Sequence, residues 1–177
     1  METLISYGLG VIGVVMTAMV VIPALSNSMP YPSTRLMITN LLRTNPRQAE
    51  LACKTGEGTF LEGIGSAIKT AAMLGGSRDP GMIQKATIPS YDAGAAVAVQ
   101  KWKGYLMKAK LGAMAAGGSV VLGFQKGTPI LLIILALAVG AGYGFLFLRT
   151  NEVERSMVLA RREVLPEVDR VFIDGRY

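Results

Sequence analysis

The sequence predicts an all-α, polytopic membrane protein with three transmembrane helices, or alternatively two, and a small helical cytoplasmic region. Three observations lead to this fold class. The 177-residue chain is 51% hydrophobic and has a mean hydropathy of +0.42, both high for a soluble domain. Its apolar residues are gathered in blocks, one of which is as long as a bilayer is thick. Its lysines and arginines are distributed unequally between the connecting segments.

The longest apolar block covers residues 130–148, ILLIILALAVGAGYGFLFL, and contains no charged residue. As an α-helix these residues would extend about 28 Å, the thickness of the hydrocarbon layer of a bilayer. Thr128 stands at the N-cap position and Pro129 at the first helical position. We therefore predict a transmembrane helix from residue 130 to residue 148.

A second apolar run covers residues 4–25 and ends near Pro23, which we expect to kink or end the helix. The alternative interpretation is a signal peptide. It is disfavoured because no lysine or arginine precedes the run and because the run is longer than a usual signal core. We therefore predict that residues 1–26 contain the first transmembrane helix.

Each of these two helices has one face composed of small residues, and such faces allow helix backbones to approach closely. The alternative for the glycine pair of the later helix is a plain anchor, because glycine is common in membrane helices. The predicted helix-packing positions are Gly10, Gly13 and Thr17 in the first helix, and Ala136, Gly140 and Gly144 in the later one.

A further helix is predicted from Ser90, as its cap, to Phe124, a stretch without proline. Residues 111–124 carry no charge but are too few to span a bilayer. If Lys108 and Lys110 extend their ammonium groups toward the surface, the span lengthens to 106–124. A re-entrant or interfacial helix is the alternative. Together with these lysines, Trp102 and Tyr105 are predicted to lie at the membrane interface.

Short helices are predicted between the first two spans from their capping residues. Ser33 or Thr34 would cap a helix through Arg43, and Asn45 would cap the next. Thr59 and Glu62 form a capping-box pattern. A last short helix would start at Asp79-Pro80 and the connection would end at Pro89.

The distribution of basic residues predicts the topology. Residues 27–110 contain 11 lysines and arginines against five acids, so the positive-inside rule places this segment in the cytoplasm and the N-terminus outside. The predicted segments are the first transmembrane helix in 1–26, a basic helical cytoplasmic region in 27–105, a transmembrane hairpin in 106–148, and a charged helical tail in 149–177.

The composition argues against an enzyme and against a metal or cofactor site. The chain has no histidine and a single cysteine, Cys53, so it lacks the commonest general base and cannot assemble a zinc site. No phosphate-binding loop is present. Nucleic-acid binding is disfavoured because membrane topology explains the basic residues more simply. We predict no catalytic residue, no cofactor and no metal ligand.

The order of elements resembles the MotA/TolQ/ExbB family of stator-type proton-channel subunits. The stretches Gln48–Cys53 and Gly58–Gly65 look like the short helices that follow the first span in that family. The family's Leu-Gly-Thr-Val-type run is absent; this chain has Gly117–Gly123 there, with Ser119 as the residue near the family's pore hydroxyl. Thr128 would have to serve for the hydroxyl that starts the third span. The resemblance makes Ser119 and Thr128 the candidate pore hydroxyls.

The expected function is that of a non-enzymatic subunit of a multi-protein complex in the bacterial inner membrane. The resemblance implies a stator-like role coupled to ion flux, and a homo-oligomer or a single-span partner that carries a membrane carboxylate. The spans contain no carboxylate of their own, so a partner would have to supply it. The alternative is a purely structural component of a secretion or motility machine without an ion path.

Overall fold

The computed structural model describes residues 2–26, 29–74, 78–124 and 129–177. In these ranges every regular element is an α-helix, which confirms the all-α prediction. The helices are α1 (Glu2–Ser26), α2 (Tyr31–Thr44), α3 (Pro46–Lys54), α4 (Phe60–Met73), α5 (Pro80–Phe124), α6 (Pro129–Glu163) and α7 (Leu165–Ile173).

Two helical stretches in the described ranges are long and apolar enough to cross a membrane, Leu4–Ser26 and Ile130–Ile173. In their most apolar 18-residue windows, only 28% and 17% of the residues are buried. A core helix of a soluble protein would be mostly buried, whereas most residues of these two windows are exposed. The length and composition of the two stretches fit a membrane location.

The chain divides into two compact units. The bundle unit consists of residues 1–26 and 102–151, and the charged unit consists of residues 27–101 and 152–177. Most of the segment predicted from the sequence as a charged tail therefore belongs to the same unit as the segment 27–101.

The bundle unit is built on α1, residues 102–124 of α5 and residues 129–151 of α6. Its buried positions recur at spacings of three, four and seven residues, the pattern of helices that pack along a continuous seam. Small residues predominate in the seams of α1 and α5. The seam positions of α1 are Ser6, Gly10, Gly13, Thr17, Val20 and Ala24; those of α5 are Trp102, Ala109, Gly112, Ala116, Ser119 and Gly123.

The contacts of glycines define a register along the bundle. A Cβ atom on Gly13 would lie 2.7 Å from the carbonyl oxygen of Gly112, and one on Gly112 would lie 2.7 Å from Thr17 Oγ1. A Cβ atom on Gly142 would lie 2.7 Å from Thr17 Cγ2. We call the residues Thr17, Gly112 and Gly142 the central layer.

Counting residues from the central layer gives the length of the apolar segment in each helix. At about 1.5 Å per residue, Leu4, Phe124 and Ile130 lie about 18 to 20 Å away on one side. On the other side Ala24, Tyr105 and Arg149 each lie seven residues, or about 10 Å, from the central layer; we call these three the basal layer. The three segments are thus each about 28 to 30 Å long, the thickness of a bilayer core. The segment of α5 contains Lys108 and Lys110, and α5 is not among the helical stretches that are apolar enough to cross a membrane.

The core of the charged unit lies where α2, α3, α4 and α7 pack together with the first part of α5 and the last part of α6. α5 crosses α4 closely, since a Cβ atom on Gly94 would lie 2.9 Å from the carbonyl oxygen of Glu62. The buried Tyr91 hydroxyl donates to the carbonyl oxygen of Met157 over 2.7 Å, which joins α5 to α6.

The predicted break between a short helix and a long helix at Pro89 and Ser90 is wrong. α5 runs from Pro80 to Phe124 with Pro89 inside it, and Ser90 is not a cap. The Ser90 hydroxyl lies 2.9 Å from Ser66 Oγ and 2.7 Å from Thr70 Oγ1 on α4. Contacts with α4 therefore hold this turn of helix although Pro89 lacks an amide hydrogen.

The predicted start of α2 is also wrong, whereas that of α3 is confirmed. α2 begins at Tyr31, directly after Pro30. Pro32 lies in its first turn, where proline is favoured, so the helix starts before the Ser33 and Thr34 hydroxyls that were expected to cap it. The Asn45 side chain accepts from Gln48 N at 3.3 Å, as expected of the cap of α3.

The capping box at α4 forms with a shifted pairing. Thr59 Oγ1 accepts from Leu61 N at 3.2 Å, and Glu62 Oε2 accepts from Gly58 N at 2.9 Å. Each side chain thus binds an amide one residue earlier than the predicted box requires. Gly58 has a φ of 75°, which turns the chain so that its amide reaches the Glu62 carboxylate.

We predict opposite effects for the same substitution at two glycines of α1. Gly13→Ala should lower the free energy of unfolding by about 1 to 3 kcal/mol, because the new methyl group would clash with the α5 backbone. Gly8→Ala should raise it by about 0.5 kcal/mol, because no atom lies within 4 Å of that methyl position and alanine favours helix. Thermal unfolding in mild detergent measures both. A Gly13→Ala variant as stable as the wild type would contradict the seam.

Candidate functional site

The residues predicted for helix packing in the first span lie in the seam of the bundle unit. Gly10 and Gly13 are buried, and Thr17 is 5% exposed. The Thr17 hydroxyl donates to the carbonyl oxygen of Gly13 over 2.9 Å, so its polar group is satisfied within α1. A Cβ atom on Gly10 would lie 3.3 Å from Ser119 Oγ and 3.4 Å from a methyl group of Leu132.

The residues predicted for packing on the later helix face away from this seam. No atom lies within 4 Å of the Cβ position of Gly140 or of Gly144, and Ala136 is half-exposed. Gly142, between the two glycines, makes the close contact with α1 instead. Sequence analysis missed Gly142 because the run Gly-Ala-Gly-Tyr-Gly at 140–144 places small residues on more than one face of the helix. Residue spacing alone does not show which of these faces packs against another helix of the same chain.

Of the two candidate pore hydroxyls, Ser119 is buried in the seam of the bundle and Thr128 lies outside the described residues. The Ser119 hydroxyl donates to the carbonyl oxygen of Ala116 over 2.6 Å and is fully buried. Hydroxyls that bond to the preceding turn of their own helix are common in membrane helices. Within one chain, Ser119 thus lies at a contact between helices.

The predicted interface residues lie near the basal layer of α5. Trp102 is buried and Tyr105 is half-buried, and their rings meet edge to face with centroids 5.9 Å apart. Lys108 and Lys110 are exposed. Arg149, seven residues beyond Gly142, lies over the Phe145 ring at 5.8 Å.

A shallow apolar groove runs between α1 and α6 on the surface of the bundle unit, with a cavity volume of about 170 Å³. It is lined mainly by small and β-branched residues and contains Gly142. Its lining carries no charged side chain, so it offers shape but no polar recognition.

In the charged unit, acidic residues of the C-terminal segment pair with basic residues of the segment before α5. Arg35 and Tyr31 both donate to Glu163, and Arg43 pairs with Glu167 at 2.8 Å. The hydrogen bonds from Arg35 and then Tyr31 lower the pKa of Glu163, and the one from Arg43 lowers the pKa of Glu167. The unit as a whole has 13 lysines and arginines against 11 acids.

One carboxyl group of the charged unit is buried. Asp169 is 6% exposed and its Oδ1 accepts from the Thr87 hydroxyl at 2.7 Å. Burial raises the pKa of Asp169, and the hydrogen bond from Thr87 opposes that rise. This pair could not be predicted from local sequence patterns, because 82 residues separate its members.

The cysteine of the charged unit lies in a groove lined by charged residues. Cys53 is buried, and burial raises the pKa of its thiol to about 12, so it is protonated at neutral pH. It lines an open groove of about 600 Å³ with Glu50, Lys54 and Lys101. Lys54 pairs with Glu50, and Lys101 pairs with Glu57, in the same groove. No group of three histidine, cysteine, aspartate or glutamate residues that could hold a metal ion occurs among the described residues.

Comparisons of this chain with protein-family models, with curated proteins and with solved structures found no match. Its function must therefore be argued from its own residues.

We predict that two substitutions at the buried pair change stability in opposite directions. Thr87→Val leaves the Asp169 carboxylate without this donor and should lower the free energy of unfolding by about 1 to 3 kcal/mol at pH 7. Asp169→Asn keeps a hydrogen-bond acceptor and removes a buried charge, so it should raise stability at pH 8.

The effect of Asp169→Asn on stability should depend on pH. Because burial raises the pKa of Asp169 in the folded state, its carboxyl group contributes stability below the unfolded pKa, and this contribution is lost as the pH rises through the folded pKa. The gain from Asp169→Asn should accordingly vanish below about pH 4. Denaturant unfolding of the full chain at pH 4 and pH 8 measures it. An equal effect at both pH values would contradict a buried carboxylate.

Proposed function

We propose that this protein is a non-enzymatic, three-span subunit of a multi-protein complex in the bacterial inner membrane. The observation that carries the proposal is the common register of the bundle unit, in which α1, α5 and α6 cover one common length of about 28 to 30 Å, the thickness of a bilayer core. Two helical stretches, Leu4–Ser26 and Ile130–Ile173, are long and apolar enough to cross a membrane, and we propose segment 106–124 of α5 as the third span because it packs at the level of these two.

The topology follows from this register and from the basic residues. With three spans, the N-terminus and residues 125–128 face the outside, and residues 27–101 and 152–177 face the cytoplasm. This arrangement leaves Lys126 as the one basic residue of the external turn and keeps Arg149 and the later arginines inside, as the positive-inside rule requires. A two-span chain would place those arginines outside.

Among such subunits, we favour a stator-like role in an energy-coupling assembly. Its support is the order of elements, in which two long helices, α5 and α6, continue from the apolar segments into the charged unit. The partner in this role is a single-span protein, which would bring the carboxylate that residues 4–25, 106–124 and 130–148 lack.

The second candidate is a structural component without an ion path. Two observations favour it: the Ser119 and Thr17 hydroxyls both donate to carbonyl oxygens of their own helices. A hydroxyl that is buried and satisfied in this way does not line a water-filled passage within one chain. Conduction would need a passage between copies of the chain or between the chain and a partner.

The face formed by Ala136, Gly140 and Gly144 is the proposed contact with another subunit. Within the chain no side chain occupies the space beside either glycine, and small residues in lipid gain most from close contact with another helix. Gly140→Leu with Gly144→Leu should therefore reduce the assembly to smaller species. Gly8→Leu on α1, which also has open space, is the matched control.

Purification of the tagged, full-length chain in mild detergent, followed by native mass spectrometry, tests the proposal. A complex of identical subunits with a small single-span protein that carries a membrane carboxylate would support the stator-like role. A stable complex with unrelated envelope proteins and no such partner would support the structural role. A monomer, with no change in species upon the double glycine substitution, would contradict the assembly.

A further inference from the structure

The excess positive charge of this protein is concentrated in the bundle unit. The charged unit is nearly balanced, whereas the bundle unit has five basic residues and a single acid, Glu2. Three of the five, Lys103, Lys108 and Lys110, lie within eight residues of α5. Basic residues beside a span can serve orientation alone, so their depth decides whether they do more.

The register places two of these lysines above the basal layer. Tyr105 and Arg149 belong to that layer, and Lys108 and Lys110 lie three and five residues farther along α5 toward its apolar end. At about 1.5 Å per residue, their Cα atoms are about 4.5 and 7.5 Å inside the apolar thickness. In this topology the backbone of both lysines lies within the hydrocarbon layer. A charged ammonium group at that depth is unfavourable in free energy unless it reaches a polar partner.

The direction of α5 lets the deeper lysine reach the membrane surface. Side chains of a helix tilt toward its N-terminus, and the N-terminal end of this segment of α5 is the basal end. Lys110 is exposed, and its flexible apolar stem can carry the ammonium group most of the way from the level of its Cα atom to the basal layer, toward the headgroups. The tilt of side chains toward the N-terminus of α5 thus favours this conformation of Lys110.

The neighbouring positions leave room for a headgroup. Lys103 is seven residues from Lys110 and so lies on the same stripe of α5. Between them Met107 is 68% exposed, and no atom lies within 4 Å of the Cβ position of Gly104. The surface therefore presents the Lys110 ammonium group beside an exposed, partly apolar patch at Met107 and Gly104, a combination that suits a phosphate with its attached glycerol and acyl chains.

We propose that this surface of α5 binds an anionic phospholipid of the cytoplasmic leaflet, with the Lys110 ammonium group on the lipid phosphate. The inference rests on the proposed three-span topology. A second copy of this chain does not fit as the charge partner, because its spans contain no aspartate or glutamate. A foreign helix with a carboxylate would have to meet Lys110 within the layer, whereas its side chain points out of that layer.

Lipid retention by the full-length protein tests this proposal. The protein is reconstituted into vesicles of equimolar phosphatidylglycerol and phosphatidylcholine, extracted in mild detergent, and analysed by native mass spectrometry. We expect phosphatidylglycerol to be retained in excess. Lys110→Gln should lower this excess on the order of fivefold, the effect of one basic residue at an anionic surface. Lys110→Arg, which keeps the charge, should retain it.

Lys69→Gln is the matched control, since Lys69 is an exposed lysine of the charged unit, and it should leave the excess unchanged. Equal melting temperatures of the variants show that they are folded. Equal retention of both lipids by the wild type, or an excess unaffected by Lys110→Gln, would overturn the proposal. So would loss of a co-purifying single-span protein from Lys110→Gln without a change in lipids, which would assign Lys110 to a protein carboxylate.

The two proposals fail in different ways. If the protein is released from membranes by alkaline carbonate without detergent, the integral membrane function fails and the lipid site fails with it. If the protein remains in the membrane and shows no preference for anionic lipid, only the lipid site fails.

Discussion

The bundle unit depends on the close approach of helix backbones at positions that lack a side chain. Gly13 and Gly112 face each other so closely that the Cβ atom of any other residue at position 13 would lie 2.7 Å from the Gly112 carbonyl oxygen. This contact fixes the level of α5 against α1, and the Gly142 contact with Thr17 fixes that of α6. These two constraints set the levels of Lys108, Lys110 and the rest of α5, and of α6, against α1, and they leave the Gly140 stripe exposed.

The charged unit is held by a different kind of interaction. Its helices enclose an apolar core, and ion pairs on its surface join segments more than 120 residues apart, such as Arg35 with Glu163 and Arg43 with Glu167. Exposed pairs of this kind add little stability individually, but they place acids of the C-terminal segment beside Arg35 and Arg43. The unit therefore presents a surface of mixed sign, and the positive excess of the protein remains beside the apolar segments.

Much of the fold could be predicted from the sequence because local signals were strong. The apolar runs and the Asn45 cap determined helices that the structure contains, and the helix from Pro129 does continue beyond the apolar run. The break at Pro89 was mispredicted because contacts with Ser66 and Thr70 outweigh the local effect of a proline. The partners of Gly142 and Asp169 could not be predicted, since residues distant in sequence supply them. The sequence predicted only the functional class, a non-enzymatic membrane subunit. Its specific function could not be predicted, because the proposed function depends on surfaces that would contact other molecules.

The accessibility of position 126, between α5 and α6, distinguishes three spans from two. In a Cys53→Ala background, Lys126→Cys and Lys85→Cys place single thiols on opposite sides of the membrane in the three-span topology. In intact spheroplasts, a membrane-impermeant maleimide should label the Lys126→Cys variant at once, and the Lys85→Cys variant only after permeabilisation. Protection of the Lys126→Cys variant until the membrane is opened would contradict α5 as a span, and with it the register on which the account rests.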